Sequence, residues 1–102
     1  MKVTKINTGI YETTLQAHYT TRHYSTSQSD RGCAKFGNFV FNIEKTDYTG
    51  GMSWKVNFEI LNAEGECVFT ENDCDYYTTK KQALQAIANQ YENQSQALDI
   101  IY

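Results

Sequence analysis

The chain has no proline among its 102 residues. Turns must therefore be read from Gly, Asn and Asp, and no X-Pro step marks where an element has to stop. Cysteine is sparse too. Cys33, Cys67 and Cys74 are odd in number and irregular in spacing, which speaks against a disulfide framework and for three reduced thiols, with Cys67 the one expected to be buried. No C-x2-C pair occurs, and His18 and His23 are separated by an odd step that sends them to opposite faces of a strand, so no metal site is expected. Asp73-Cys74-Asp75 lacks the glycine and the downstream glutamate of a calcium loop. No apolar run approaches the ~18 residues that cross a bilayer, and Met1-Lys2-Val3-Thr4-Lys5 has no apolar signal core behind it. A cytoplasmic protein with no membrane partner is the expectation.

What is present is a globular composition. Hydrophobic residues make up 40% and charged residues 21%, enough apolar surface for one packed domain, here residues 1–102, and too little net charge for a disordered chain. The charge is unevenly placed. Residues 1–55 carry seven Lys/Arg against four Asp/Glu, a balance of +3, whereas residues 56–102 carry two against eight, a balance of −6. No basic residue occurs between Lys55 and Lys80. Such asymmetry bears on partners and solubility rather than on fold.

Periodicity supplies the elements. Residues 2–7 form a short strand, followed by a Thr8-Gly9 turn. From Ile10 to about Tyr24, Tyr11, Thr13, Leu15, Ala17 and Tyr19 alternate with polar neighbours, as in a strand with one solvated face. Residues 25–32 (STSQSDRG) read as a loop. Residues 36–46 place Phe39, Phe41 and Ile43 on one face. After a turn at 47–51, Met52, Trp54, Val56, Phe58 and Ile60 alternate strictly with polar residues, the mark of a half-buried antiparallel strand. Asn62-Ala63-Glu64-Gly65 is a hairpin turn, residues 66–70 the return strand, and Glu71 to Tyr77 a loop or strand tail. Thr79-Lys80-Lys81-Gln82 then fits a capping box, and Leu84, Ile87, Ala88 and Tyr91 make one helical stripe. Residues 96–101 can resume that helix, since Leu98 lies on the stripe. The expected fold class is α+β, an antiparallel meander of about five strands covered on one face by a C-terminal helix.

Three sets of residues bear on function. Glu64, Glu66, Glu71, Asp73 and Asp75 fall within one short stretch, with Tyr76 and Tyr77 directly after it. Carboxylates spaced along a hairpin and its exit can imitate a row of phosphates, and adjacent aromatics provide interface anchors. The same residues would equally serve as a solubilising edge that blocks sheet-to-sheet pairing. Tyr19, Arg22, Tyr24, Arg31 and Lys35 surround the Ser-rich loop and suit stacking on a nucleotide with phosphate contact. Three basic groups in an acidic chain are too few for duplex binding, so direct duplex nucleic-acid contact is not expected. Chemistry is the least supported. Cys33 sits between Arg31 and Lys35, but no base pairs with it. Glu12, Glu44 and Glu59 lie on polar strand faces, where cross-strand pairing with Lys55 or Lys45 explains them. No catalytic residue, metal or cofactor is assigned.

The opening Met1 to Glu12, the short meander and the closing Thr79-Lys80-Lys81-Gln82-Ala83-Leu84 helix resemble in layout many small phage and prophage open reading frames. Proteins of that kind are often anti-defence factors, anti-CRISPR proteins among them. The resemblance implies a stoichiometric, non-enzymatic inhibitor, a DNA mimic acting in the host cytoplasm. Its partner would be a host protein or nucleoprotein complex with a basic nucleic-acid-binding surface. Two free strand edges and a Tyr-rich face would also suit a homodimer.

Overall fold

The computed structural model describes residues 2–22, 34–46, 53–71, 73–92 and 97–101. The expected Ser-rich loop, the 47–51 turn, His23, Tyr24, Arg31, Cys33 and Met52 lie outside the described residues.

Three long antiparallel strands form the centre of one sheet: β2 (Ile10–Arg22), β3 (Lys35–Lys45) and β4 (Trp54–Leu61). Their alternation decides which face is buried. Along β3, Phe39, Phe41 and Ile43 are buried while Asn38, Val40, Asn42 and Glu44 are only half-buried. Thr13, Ala17 and Tyr19 of β2 and Val56 and Ile60 of β4 join the same inner face.

Each outer edge of this three-stranded centre is shared by two short strands placed end to end. β1 (Val3–Asn7) runs antiparallel to the first part of β2, with Val3 opposite Thr13. β7 (Leu98–Ile101) runs parallel to the last part, with Leu98 opposite Tyr19. On the other side β5 (Cys67–Thr70) pairs with Glu59 to Leu61, and β6 (Asp75–Tyr77) pairs with Trp54 to Val56. Among the described residues the sheet thus has seven strands rather than five. The two additions come from the segment read as a strand tail and from the segment read as resumed helix. A parallel strand needs a long crossover to reach its place, and the helical segment provides it. Ile100 is then buried on the inner face, while the Asp99 carboxylate accepts from the Thr20 hydroxyl at 3.3 Å.

Helix α1 (Lys80–Ile87) lies on the inner face and continues as a π-helical turn, Ala88–Glu92. Thr79 caps it, its hydroxyl accepting from the Gln82 amide at 3.1 Å. The Gln82 side chain does not return to Thr79, as a capping box would have it; it accepts from the Thr78 amide instead. The buried residues are Ala83, Ile87 and Tyr91, at steps of four, with Leu84 and Ala88 flanking them half-buried. In a helix of about 3.6 residues per turn, steps of four drift around the axis. The wider π turn, bonded five residues apart, brings Tyr91 back onto the sheet.

Tyr91 closes an aromatic cluster. Its ring lies 5.5 Å from Phe39, 5.2 Å from Phe41 and 5.7 Å from Phe58, and Phe58 lies 5.9 Å from Phe69. Tilted and offset contacts of this kind contribute about 0.5–1.5 kcal/mol each beyond area burial. The opposite face of the sheet has no helix among the described residues and carries Glu12, Gln16, Asn38, Asn42, Asn57 and Glu59. Cys67 is exposed, not buried. A register shift between Ile60 and Leu61 sets it opposite Leu61, on the side away from the core.

Candidate functional site

The acidic residues follow one edge of the sheet from end to end. Glu64 and Glu66 stand exposed on the β4–β5 hairpin. That hairpin is held by Asn62, whose side-chain oxygen accepts from the Glu64 and Glu66 amides at 3.0 and 2.9 Å, and by Gly65 at φ +83°. A side chain at such a φ would be strained, so glycine fixes the turn. At the far end of β5 the Glu71 amide donates to Phe58 O at 2.9 Å. The Glu71 carboxylate in turn accepts from the Asp73 amide at 3.0 Å, which bends the chain from β5 into β6. Asp73 and Asp75 are exposed.

The two tyrosines part company. Strand alternation sends Tyr76, opposite Lys55, to the open face and Tyr77, opposite Trp54, to the helix side. Asp75 pairs with Val56 and shares the helix side with Tyr77. Glu71, Asp75 and Tyr77 meet Gln90 and Tyr91 around a narrow notch between β6 and the helical segment, floored by Phe41, Val56 and Phe58. Its volume is about 20 Å³, room for roughly one water molecule. Burial first, and then the charges of Asp75 and Glu71 and the Tyr77 phenol, push the Tyr91 pKa up to about 12. Burial, with Asp75 behind it, also raises that of Tyr77. Four of the five carboxylates, Glu64, Glu66, Asp73 and Asp75, are thus exposed, Tyr76 stands on the open side, and Glu71, Asp75 and Tyr77 share the notch with Gln90 and Tyr91.

Tyr91 and Gln90 belong to this site without having been marked for it. A tyrosine in an apolar helical stripe reads as core, and only its hydroxyl hints at a polar end.

The nucleotide-binding set is not assembled among the described residues. Tyr19 is 3% exposed and pairs with Leu98, so the core occupies its ring faces. Lys35 is exposed beside it, and both line an open hollow of about 390 Å³ with Phe36 and Glu64. The strand carrying Arg22 leads directly into residues outside the description, as do the positions of Tyr24 and Arg31.

Of the strand-face glutamates, Glu44 behaves as a cross-strand partner. Glu44 lies 3.5 Å from the Lys55 ammonium. Glu12 and Glu59 line a shallow hollow on the open face with Asn42, Asn57 and Thr70. Among the described residues, no three His, Cys, Asp or Glu side chains come together as a metal would require, and no helix is long and apolar enough to cross a membrane. No family model, curated protein or solved structure matches this chain.

Proposed function

We propose that this chain is a non-catalytic inhibitor of a host defence nucleoprotein complex, an anti-CRISPR-like protein that covers a basic nucleic-acid-binding surface with its β5–β6 edge. The observation that carries the reading is the arrangement of charge. Glu64, Glu66, Glu71, Asp73 and Asp75 succeed one another along a single sheet edge, within a stretch from Val56 to Thr79 that has no Lys or Arg. A one-signed edge of this kind speeds encounter with a surface of opposite sign and orients it on arrival. Tyr76, at 39% exposure, is the apolar anchor on the outer side of the same edge.

The test is capture of a partner from bacterial lysate by the tagged protein, compared with the triple variant Glu71→Lys, Asp73→Lys, Asp75→Lys. The expected result is one stoichiometric, nucleic-acid-binding partner that duplex DNA displaces and that the variant does not retain. Circular dichroism of the variant should match the parent. Capture that survives the triple variant, or a partner that DNA does not displace, would remove the reading.

A further inference from the structure

The ladder between β3 and β4 ends before β3 does. Its last pair at this end is Asn38 with Leu61, after which the chain turns into the hairpin at Asn62. Lys35 and Phe36 belong to β3 but have no strand partner on that side among the described residues. In an antiparallel pair, alternate residues turn their backbone groups to a given neighbour. The Thr46 amide donates to the Ser53 carbonyl at 2.7 Å, in the register of the β3–β4 pairs, so the even-numbered residues of β3 face β4. The N–H and C=O of Phe36 therefore point towards the hairpin, a donor beside an acceptor, across a cleft that no strand fills. The Phe36 side chain stands on the open face at 58% exposure, although the His18 ring lies against it at 3.9 Å between centres. Two hollows, of about 240 and 390 Å³, adjoin the cleft and share Phe36, Asn62 and Ala63. The Asn62 side-chain oxygen is taken by the Glu64 and Glu66 amides, so what this residue offers a ligand is its NH2 group.

We propose that this cleft binds one free mononucleotide, held through its base. A nucleobase is flat and carries donors and acceptors side by side on its edge. Its face suits the exposed Phe36 ring, as bases stack on aromatic side chains presented by a sheet. Its edge suits the Phe36 backbone pair and the Asn62 amide. Lys35, exposed on the neighbouring strand position, supplies a cation for the phosphate, and Glu64 lines the same hollow. One ammonium opposed by one carboxylate favours a single phosphate over a triphosphate. Charge also selects a free nucleotide over a strand. Beyond Gln16 and Asn38 the open face carries Glu12 and Glu59, which repel a continuing phosphate backbone. Of the residues that the sequence marked for a nucleotide, the cleft uses Lys35, and the stacking ring is Phe36 in place of Tyr19 or Tyr24.

The experiment uses the full ¹⁵N-labelled chain, titrated at fixed ionic strength with adenosine monophosphate, adenosine triphosphate, adenosine, ribose 5-phosphate and an oligo-deoxyadenylate in separate series. The monophosphate should move the Phe36 backbone amide and the Asn62 side-chain amide saturably while the Val3 amide stays in place. Ribose 5-phosphate, which has no base, should leave these signals unmoved, and the triphosphate should bind no more tightly than the monophosphate. Phe36→Leu should weaken binding by roughly five- to hundredfold, and Phe36→Tyr, which keeps a ring, should restore it. Lys35→Gln should weaken the monophosphate by roughly two- to fivefold and leave adenosine unchanged. Both residues are exposed, so these variants should fold as the parent does. Unmoved Phe36 and Asn62 signals, parental binding by Phe36→Leu, or equal shifts with ribose 5-phosphate would overturn the proposal. Tighter binding of the oligonucleotide per nucleotide would overturn it too, in favour of a single strand. The cleft is independent of the β5–β6 edge. The triple variant Glu71→Lys, Asp73→Lys, Asp75→Lys should bind the monophosphate as the parent does, whether or not it captures a protein.

Discussion

The Lys80 ammonium lies 4.0 Å from the centre of the Tyr11 ring. Lys80 opens helix α1 and Tyr11 is the second residue of β2, so this contact ties the start of the helix to the far side of the sheet. Tyr11 is itself packed against Trp54, at 6.1 Å between ring centres. A cation in the first helical turn is otherwise unfavourable against the helix dipole, and no acidic residue accompanies it there. The ring face offsets that repulsion. A double-mutant cycle with Lys80→Met and Tyr11→Leu should give a coupling of about 0.5–1 kcal/mol in urea unfolding. Coupling indistinguishable from zero would mean that the two side chains are neighbours without attraction.

Gly37 is held to glycine by space, not by backbone angle. A Cβ there would lie 2.8 Å from Cε1 of Tyr19, 2.9 Å from the Leu61 carbonyl oxygen and 3.1 Å from Cγ2 of Ile60. The tyrosine ring belongs to the core, and the carbonyl belongs to the neighbouring strand, so neither can withdraw without loss elsewhere. Gly37→Ala should therefore destabilise the protein by about 1–3 kcal/mol, the range for overpacking a well-filled site. The matching change at the hairpin, Gly65→Ala, meets no atom within 4 Å but sits at φ +83°, so its loss of about 1 kcal/mol or more would arise from backbone strain alone. A stable Gly37→Ala protein would mean that β3 and β4 can separate at this end.

The strands were legible where one face is apolar. Phe39, Phe41 and Ile43, or Trp54, Val56, Phe58 and Ile60, alternate too strictly for any other structure, and they form the observed inner face. The ends of the sheet were not legible, for two physical reasons. Asp75 to Tyr77 is only three residues long, and so short a strand is decided by the neighbour it pairs with, not by its own pattern. Leu98, Asp99 and Ile100 satisfy period two and also continue the helical stripe through Leu98. The unpaired edge of β2 settles the matter in favour of the strand. The acidic edge was visible as composition, whereas its division into an outer line and an inner notch depended on the helix, whose π turn brings Tyr91 to Glu71 and Asp75.

The two possibilities for residues 98–101 predict opposite rankings of two substitutions. As a strand, Ile100 is 3% exposed and Leu98 only half-buried. As a continued helix on the Tyr91 stripe, Leu98 would be the buried member. Ile100→Ala should therefore cost about 2–5 kcal/mol, as removal of a buried aliphatic side chain does, and Leu98→Ala less, both read from urea midpoints at constant slope. Amide exchange should show protection at the β7 positions bonded to β2. A larger effect at Leu98 than at Ile100 would point back to the helix.

Tyr91 makes the stability of the protein depend on alkaline pH in a definite sense. The phenol titrates near 10.0 when unperturbed and near about 12 in the folded chain, where burial, Asp75, Glu71 and Tyr77 disfavour the phenolate. Below the unfolded value both states bind the proton, and the stabilisation is complete. Between the two values the unfolded chain has lost the proton while the folded chain retains it, so stability falls as pH rises. The full difference, reached as pH passes through the folded value, is about 1–3 kcal/mol for a shift of this size. The informative quantity is the parent minus Tyr91→Phe, which isolates this one phenol. That difference should be flat below pH 10 and should then fall as pH climbs towards 12. Ultraviolet absorbance of the folded protein should show a late phenolate step that Tyr91→Phe removes. If the variant and the parent lose stability in parallel across this window, the hydroxyl of Tyr91 faces free solvent, and the notch between β6 and the helical segment does not close around it.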